Sequence, residues 1–209
     1  MAGACLTPSV GCVGIATTKE GPMHSHPSPT PALASFPNVF ILPSGTTLVL
    51  RTVEPADRER IHELFHRLGE ESRYRRYLTP KPALSERELV YLSDIDHVSH
   101  EAIAAVDQRD GSFAGIVRLV RRSDVPGAAE MAIEVADELQ HMGIGSCLTA
   151  RVLERARELG FDGLTATTLR DNAPARALLK RFGFRPSAGA GHVIELEREL
   201  GFADEPMAA

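Results

Sequence analysis

Cysteine is scarce in this chain, with three among 209 residues, at positions 5, 12 and 147. Cys5 and Cys12 fall in a leader rich in proline and serine, so a disulfide framework is excluded and a reducing, cytoplasmic setting is expected. Long apolar runs are missing too. None approaches the ~20 residues that cross a bilayer, which excludes a membrane-spanning helix in this sequence, and no membrane partner is expected. The mild stretch Val10 to Ala16 is broken by Gly11 and Gly14 and followed by Lys19, the wrong order for a secretory signal. Basic charge is not in excess either. Lys and Arg number 23 against 28 Asp and Glu, a net charge of −5, so nothing favours nucleic acid held by a broadly basic surface. With 43% hydrophobic and 24% charged residues, the composition fits one globular domain plus tails.

Proline, serine, threonine and glycine dominate residues 1–43, as in GPMHSHPSPTPALASFP. Such a segment buries too little apolar surface to offset its ordering entropy, so a disordered tail is expected there. The His24-Ser25-His26 pair reads as part of that solvated tail, and Met23 is an alternative start codon. A single domain is expected over 44–200, followed by a short tail over 201–209. Thr46 to Thr52 is β-branched and apolar, a strand. Pro55 opens a helix with Ile61, Leu64, Phe65 and Leu68 at i, i+3, i+4, i+7. Ser85 and Glu88 form a capping box for a second helix. Strands are expected over Glu101 to Asp107, Phe113 to Arg121 and Glu130 to Val135, the first two joined at the hairpin signal Asp110-Gly111. A long helix runs from Gly143 to about Leu159, with Gly160 as its stop. A strand over Leu164 to Leu169, a helix over Ala173 to Phe182 and a strand over His192 to Leu196 complete the order β-α-α-β-β-β-α-β-α-β. This is an α+β domain with a mixed, mostly antiparallel central sheet flanked by helices.

Two stretches invite chemistry. His62-Glu63-Leu64-Phe65-His66 fits H-E-x-x-H, two imidazoles one turn apart with a glutamate base, and Gly69 falls where the longer zinc-protease pattern has glycine. At ~100° per residue, however, the two histidines flank the apolar stripe and Glu63 points nearly opposite it. Ser72 stands where the third ligand belongs, and three protein ligands are normal for a catalytic zinc. No metal is expected. The second stretch is the turn Gln140-His141-Met142-Gly143-Ile144-Gly145 and its continuation Ser146, placed between a strand and a long helix. Its glycines allow close approach, and N–H groups at the helix start, with the positive end of the helix dipole, suit a diphosphate.

Q-x-x-G-x-G at 140–145, followed by Asn172-x-x-Ala175-x-x-Leu178-x-x-x-x-Gly183-Phe184 after the next strand, resembles the two signatures of the GNAT family of acetyl-CoA-dependent N-acetyltransferases. The likeness covers roughly Thr46 to Glu197. A narrower resemblance, to the acetyltransferase domain of bacterial protein-lysine acetyltransferases, is carried by ESRYRRY at 71–77, Pro80-x-Pro82 and AEMAIEV at 129–135. These resemblances imply acetyl-CoA as cosubstrate, held by residues 140–146 with Asn172 and Ala175. They imply main-chain contacts from the strand at Ile133 to Val135, and a primary amine as acceptor, on a protein lysine or a small molecule. Glu130 matches the base of the lysine acetyltransferases. Glu134, four residues further along and on the same strand face, is the second candidate. A tyrosine that often assists thiolate departure is replaced here by Leu179. Three further readings stand beside this one: a non-catalytic acetyl-CoA sensor, a covalent route through Cys147 in the first turns of the long helix, and the zinc protease. The acceptor and the oligomeric state, a homodimer included, are not legible.

Overall fold

The computed structural model describes residues 38–201. Expectations for Cys5, Cys12, Met23, the His24-Ser25-His26 pair and the tail beyond Gly201 lie outside the described residues. In chain order the elements are β1 (Val39–Ile41), β2 (Thr47–Thr52), α1 (Arg58–His66), α2 (Glu70–Tyr77), α3 (Glu86–Ser93), β3 (His100–Asp107), β4 (Phe113–Arg121), β5 (Ala128–Val135), α4 (Ile144–Glu158), β6 (Gly163–Leu169), α5 (Ala173–Arg181), β7 (Arg185–Ala188) and β8 (Val193–Glu199). The strands form one sheet in the order β1-β2-β3-β4-β5-β6-β8-β7. Every neighbouring pair is antiparallel except β5 and β6, which run parallel with α4 as their crossover. The expected α+β architecture is therefore the one observed.

Period-2 alternation sorts the sheet into two faces. Ala102, Arg118 and Ala132 stand side by side across β3, β4 and β5 and look to one face. There Ile61, Leu64 and Phe65 of α1 and Leu89 and Leu92 of α3 pack on Ala102, Ala104 and Ile116. On the other face Leu148, Val152, Leu153 and Ala156 of α4 cover Ile103, Val117, Leu119 and Met131. Glu101 is the polar exception on the α4 face. Its carboxylate, 1% exposed, takes Arg155 Nε at 2.7 Å and His97 Nδ1 at 2.8 Å, tying α4 to the sheet through a buried ion pair.

Three elements were not expected from the sequence, each for a physical reason. β1 lies inside the stretch read as a disordered tail, so order begins at least at Val39; only Phe40 turns toward the core, while Val39 and Ile41 are exposed. α2 buries no residue fully, so it has no apolar stripe to read. It is held by polar contacts: Arg73 stacks over the Phe65 ring at 4.4 Å and donates to the Phe65 carbonyl at 3.2 Å. β7 is four exposed residues, one of them proline, docked by pairing to β8 alone.

His100 begins β3 on the α1–α3 face, buried and stacked on Tyr91 at 4.9 Å, with its Nε2 unbonded among the described residues. Burial first, and then the Arg118 guanidinium, lower its pKa from 6.5 to about 4. The unfolded chain therefore binds more protons than the folded one between those values, and stability is lost as pH falls through that window. We expect His100→Phe, which keeps the ring stack, to remove roughly 1–3 kcal/mol of this acid-side loss. Denaturant melts from pH 7 to 4 check it: parallel stability curves for the two proteins would contradict the assignment.

Candidate active site

Register shows where the sheet opens. β5 and β6 pair at three positions only, Ala128 with Gly163, Ala129 with Leu164 and Glu130 with Thr165. Beyond these the strands part, although β5 continues to Val135 and β6 to Leu169. Arg122 N–H bonds the Ala128 carbonyl at 2.9 Å and Ala136 N–H bonds the Ala114 carbonyl at 3.0 Å. These two bonds set the phase of the β4–β5 ladder: even-numbered residues of β5 direct their main-chain groups to β4. The Met131 carbonyl and the groups of odd-numbered Ile133 and Val135 thus turn toward the gap that β6 has left, the Met131 N–H being spent on the last bridge, at Thr165. Part of this capacity is used, since Gln140 Nε2 reaches the Val135 carbonyl at 3.3 Å. The gap belongs to a cleft of about 530 Å³ lined by residues of α2, β5, the 139–146 turn, β6 and α5.

The glycine turn closes one end of this cleft. His141 and Gly143 both adopt left-handed backbone, at φ 63° and 88°, and Gly143 caps α4. A Cβ on Gly143 would meet Phe40 Cζ at 3.3 Å. The N–H groups of Ser146 and Cys147 both return to the Gly143 carbonyl, at 3.0 and 3.1 Å. Ile144 and Gly145, as the first two helical residues, have no acceptor within the helix. No acidic residue occupies the first turn, so the positive pole of α4 is not neutralised locally. Gln140 fixes the turn by donating to Asp137 Oδ1 at 2.9 Å, and Asp137 Oδ2 accepts the Gly69 N–H, also at 2.9 Å. Gly69, read from sequence as part of a zinc pattern, is in fact the N-cap of α2.

Two carboxylates stand on the α1–α3 face of β5. Glu134 is 8% exposed at its side chain, and its Oε2 lies 3.4 Å from Arg76 Nε of α2. Glu130 marks the last paired position before the strands part. It is exposed as a residue, but its carboxyl is hemmed in, and loss of hydration raises its pKa, opposed by Arg76 and Arg122. A raised carboxyl beside a cleft has the character of a proton acceptor.

Among the sequence candidates, Ile133, Glu134, Val135, Gln140, His141, Gly143, Gly145, Ser146, Asn172 and Ala175 all line the cleft. Met142 and Ile144 turn instead toward the core cluster, and Glu130 lies just outside the lining at the mouth of the split. Asn172 is already engaged: its oxygen accepts the Ala175 N–H at 3.2 Å and its amide donates to Thr168 Oγ1 at 3.2 Å, so it caps α5. Sequence reading weighed Ser72 only as a zinc ligand, passed over Thr167, and gave Arg75 and Arg76 only within the stretch 71–77; all four line the cleft. The burial of Cys147 pushes its thiol pKa up, against the thiolate that a covalent route requires. Leu179 is 4% exposed in the core, an apolar side chain at the position where proton donation was sought. In α1, His62 and His66 face each other at 3.1 Å between their Nε2 atoms, and no group of three metal-ligating side chains occurs among the described residues.

Comparison with known proteins agrees with this geometry. The model of the acetyltransferase (GNAT) domain matches residues 47–185. Acetyltransferase Pat of Mycolicibacterium smegmatis is 31% identical over 143 residues, 67% of this chain and 42% of that protein, so the chain spans less than half of that relative. Acetyltransferase PA5475 of Pseudomonas aeruginosa is 29% identical over 145 residues, 68% of this chain and 77% of that protein. The GNAT domain of S. lividans PAT superposes with a TM-score of 0.71 at 26% identity, covering 78% of this chain and 96% of that one. An acetyltransferase of Salmonella typhimurium, yncA, solved with its cofactor acetyl-CoA, shares the fold with a TM-score of 0.62 at 16% identity, covering 78% and 99%. A sheet split beside a glycine-turned helix, a family model spanning most of the described residues and these relatives together establish that the chain belongs to the GNAT acetyltransferase family.

Proposed function

We propose that the chain is an acetyl-CoA-dependent N-acetyltransferase acting on a primary amine, on a protein lysine or a small molecule, by direct attack in a ternary complex. The observation that carries this reading is the pairing of β5 and β6 at three positions only, which leaves main-chain groups of Met131, Ile133 and Val135 turned to the cleft. A pantetheine arm can bond to them as a strand would. The diphosphate then meets the N–H groups at the start of α4, where charge and geometry favour an anion. Gln140, His141 and Ser146 shape this end, and Asn172 and Ala175 form the wall opposite. No metal enters the scheme.

The chemistry follows from charge. An acceptor ammonium, with an ordinary pKa near ~10.4, must lose a proton before its lone pair can attack. Glu130 takes that proton, directly or through water. The new C–N bond forms as the thioester carbonyl becomes an oxyanion, which a β5 N–H in the Ile133 to Val135 region stabilises. Collapse breaks the C–S bond and releases the CoA thiolate, and the second proton lost by the attacking nitrogen passes to that thiolate or to water. A thiol pKa of about ~8.5 lets that group leave without a donor, and Leu179 supplies none. Glu134, held against Arg76, is the counter-ion in this scheme. A non-catalytic sensor remains the second reading, favoured by Leu179 alone.

Glu130→Gln should lower turnover by roughly 10²–10⁴, measured as thiol release with acetyl-CoA over an amine panel that includes lysine peptides. Acetyl-CoA affinity by calorimetry should stay at the wild-type value; turnover close to wild type would remove Glu130 from the mechanism. Gly143→Ala forces a Cβ into left-handed backbone and toward Phe40, a cost of about 1–3 kcal/mol, so acetyl-CoA should bind about tenfold or more weakly. Unaltered affinity would place the diphosphate elsewhere. His62→Ala/His66→Ala, assayed with a chelator present, should retain thiol release; its loss would revive a metal role for α1.

A further inference from the structure

Two ion pairs stand on the sheet face that carries Glu130. Toward α2, Arg76 and Glu134 approach to 3.4 Å, and neither Arg76 Nε nor Glu134 Oε2 has a hydrogen-bond partner among the described residues. A pair selected for its own stability would close to a charge-assisted hydrogen bond, whereas this one stops short of it. Toward β8, Arg122 Nη1 lies 3.2 Å from Glu195 Oε2 and 3.3 Å from Thr165 Oγ1, while its other end is taken by Asp124 at 2.6 Å. Thr165 stands directly across from Glu130, and Glu195 directly across from Thr167. By strand alternation Glu130, Thr165, Thr167 and Glu195 share one face of the sheet. The second pair thus stands beside Thr165, the residue directly across from Glu130, and the first joins the same face of β5 through Glu134.

We propose that Arg76, Arg122 and Glu195 are positioning residues that act through Glu130, the two guanidiniums favouring its carboxylate and Glu195 opposing it, so that their balance sets the pH at which the base works. This inference rests on the assignment of Glu130 as the base. The groups facing that carboxyl are Arg76 from α2, Tyr91 from α3, Arg122 from the β4–β5 turn, Thr167 from β6 and Glu195 from β8. Burial raises the Glu130 pKa, Arg76 and Arg122 lower it, Glu195 raises it again and a bond from Thr167 lowers it. Other carboxylates blunt the cationic side: Glu134 shares Arg76, and Asp124 and Glu195 share Arg122. Glu130 thereby faces a partial counter-charge and has no salt bridge of its own among the described residues. A base held in a full salt bridge would be ionised and inert; one with no cation near would stay protonated when the acceptor arrives.

Carbon-13 NMR titration of side-chain carboxyls in the full chain tests this without an acceptor, with Glu130→Gln assigning the signal. The Glu130 midpoint should rise in Arg76→Gln and in Arg122→Gln and fall in Glu195→Gln, each by more than the fitting error. Because Arg122 sits in a surface turn, its variant keeps the test open should Arg76→Gln fail to fold. The acid limb of thiol release should move in the same order. Midpoints that coincide with wild type, together with lost turnover in Glu130→Gln, overturn the tuning and leave the base assignment intact. Wild-type turnover in Glu130→Gln overturns both, wherever the midpoints fall.

Discussion

Hydrogen bonding between β5 and β6 holds for three positions and then stops, and the geometry of the cleft depends on that interruption. Parallel strands joined by a helix normally zip along their common length. Here α4 packs on the sheet through Leu148, Val152 and Ala156 on one side of the gap, and α5 contributes Leu179 to the same core on the other. Each strand is held by its own outer neighbour, β5 by β4 over seven positions and β6 by β8 over seven, so neither must close on the other for the domain to be stable. The open gap is therefore compatible with a well-packed core.

Electrostatics divides the two faces of the sheet. On the α4 face Glu101 and Arg155 make a close, satisfied pair that fixes the helix carrying the glycine turn. Across the sheet, Arg118 is buried with Nε and Nη2 unbonded among the described residues, and its Nη1 donates to the Leu92 carbonyl at 2.7 Å. Burial lowers its pKa to about 10, with Glu134 pulling upward. Beside it lie Arg76, Glu134 and Tyr77, whose hydroxyl burial pushes well above its usual range. An under-satisfied cluster of this sort is expensive for stability and common where groups must respond to an arriving charge.

How far the sequence reached depends on how each element is stabilised. Where apolar burial builds an element, the periodicity could be read: α1 from Ile61, Leu64 and Phe65, α4 from Leu148 to Ala156, and the strands of the central sheet from their β-branched runs. Capping chemistry was equally plain, since Ser85 and Glu88 bond as their spacing predicted. Elements held by polar contacts or edge pairing were invisible, as α2, β1 and β7 demonstrate. At the candidate site, the turn at 140–145 was legible because left-handed backbone demands particular residues. The roles proposed for Arg122 and Glu195 were not, because they depend on strand order, which puts β8 next to β6 and sets Glu195 beside residues far away in sequence; the one proposed for Arg76 depends on α2, which has no apolar stripe to read.

The phase of β5 has a further meaning. In the proposed reaction one short strand serves two molecules with separate sets of atoms: peptide groups of its odd residues turn to the cosubstrate, side chains of its even residues to the acceptor. Peptide groups are common to all amino acids, so the first task makes little demand on residue identity, while the second is written wholly in it. A lineage can thus exchange what it acylates by altering Ala132 and Glu134 or their neighbours around a retained Glu130, and keep its acyl donor throughout.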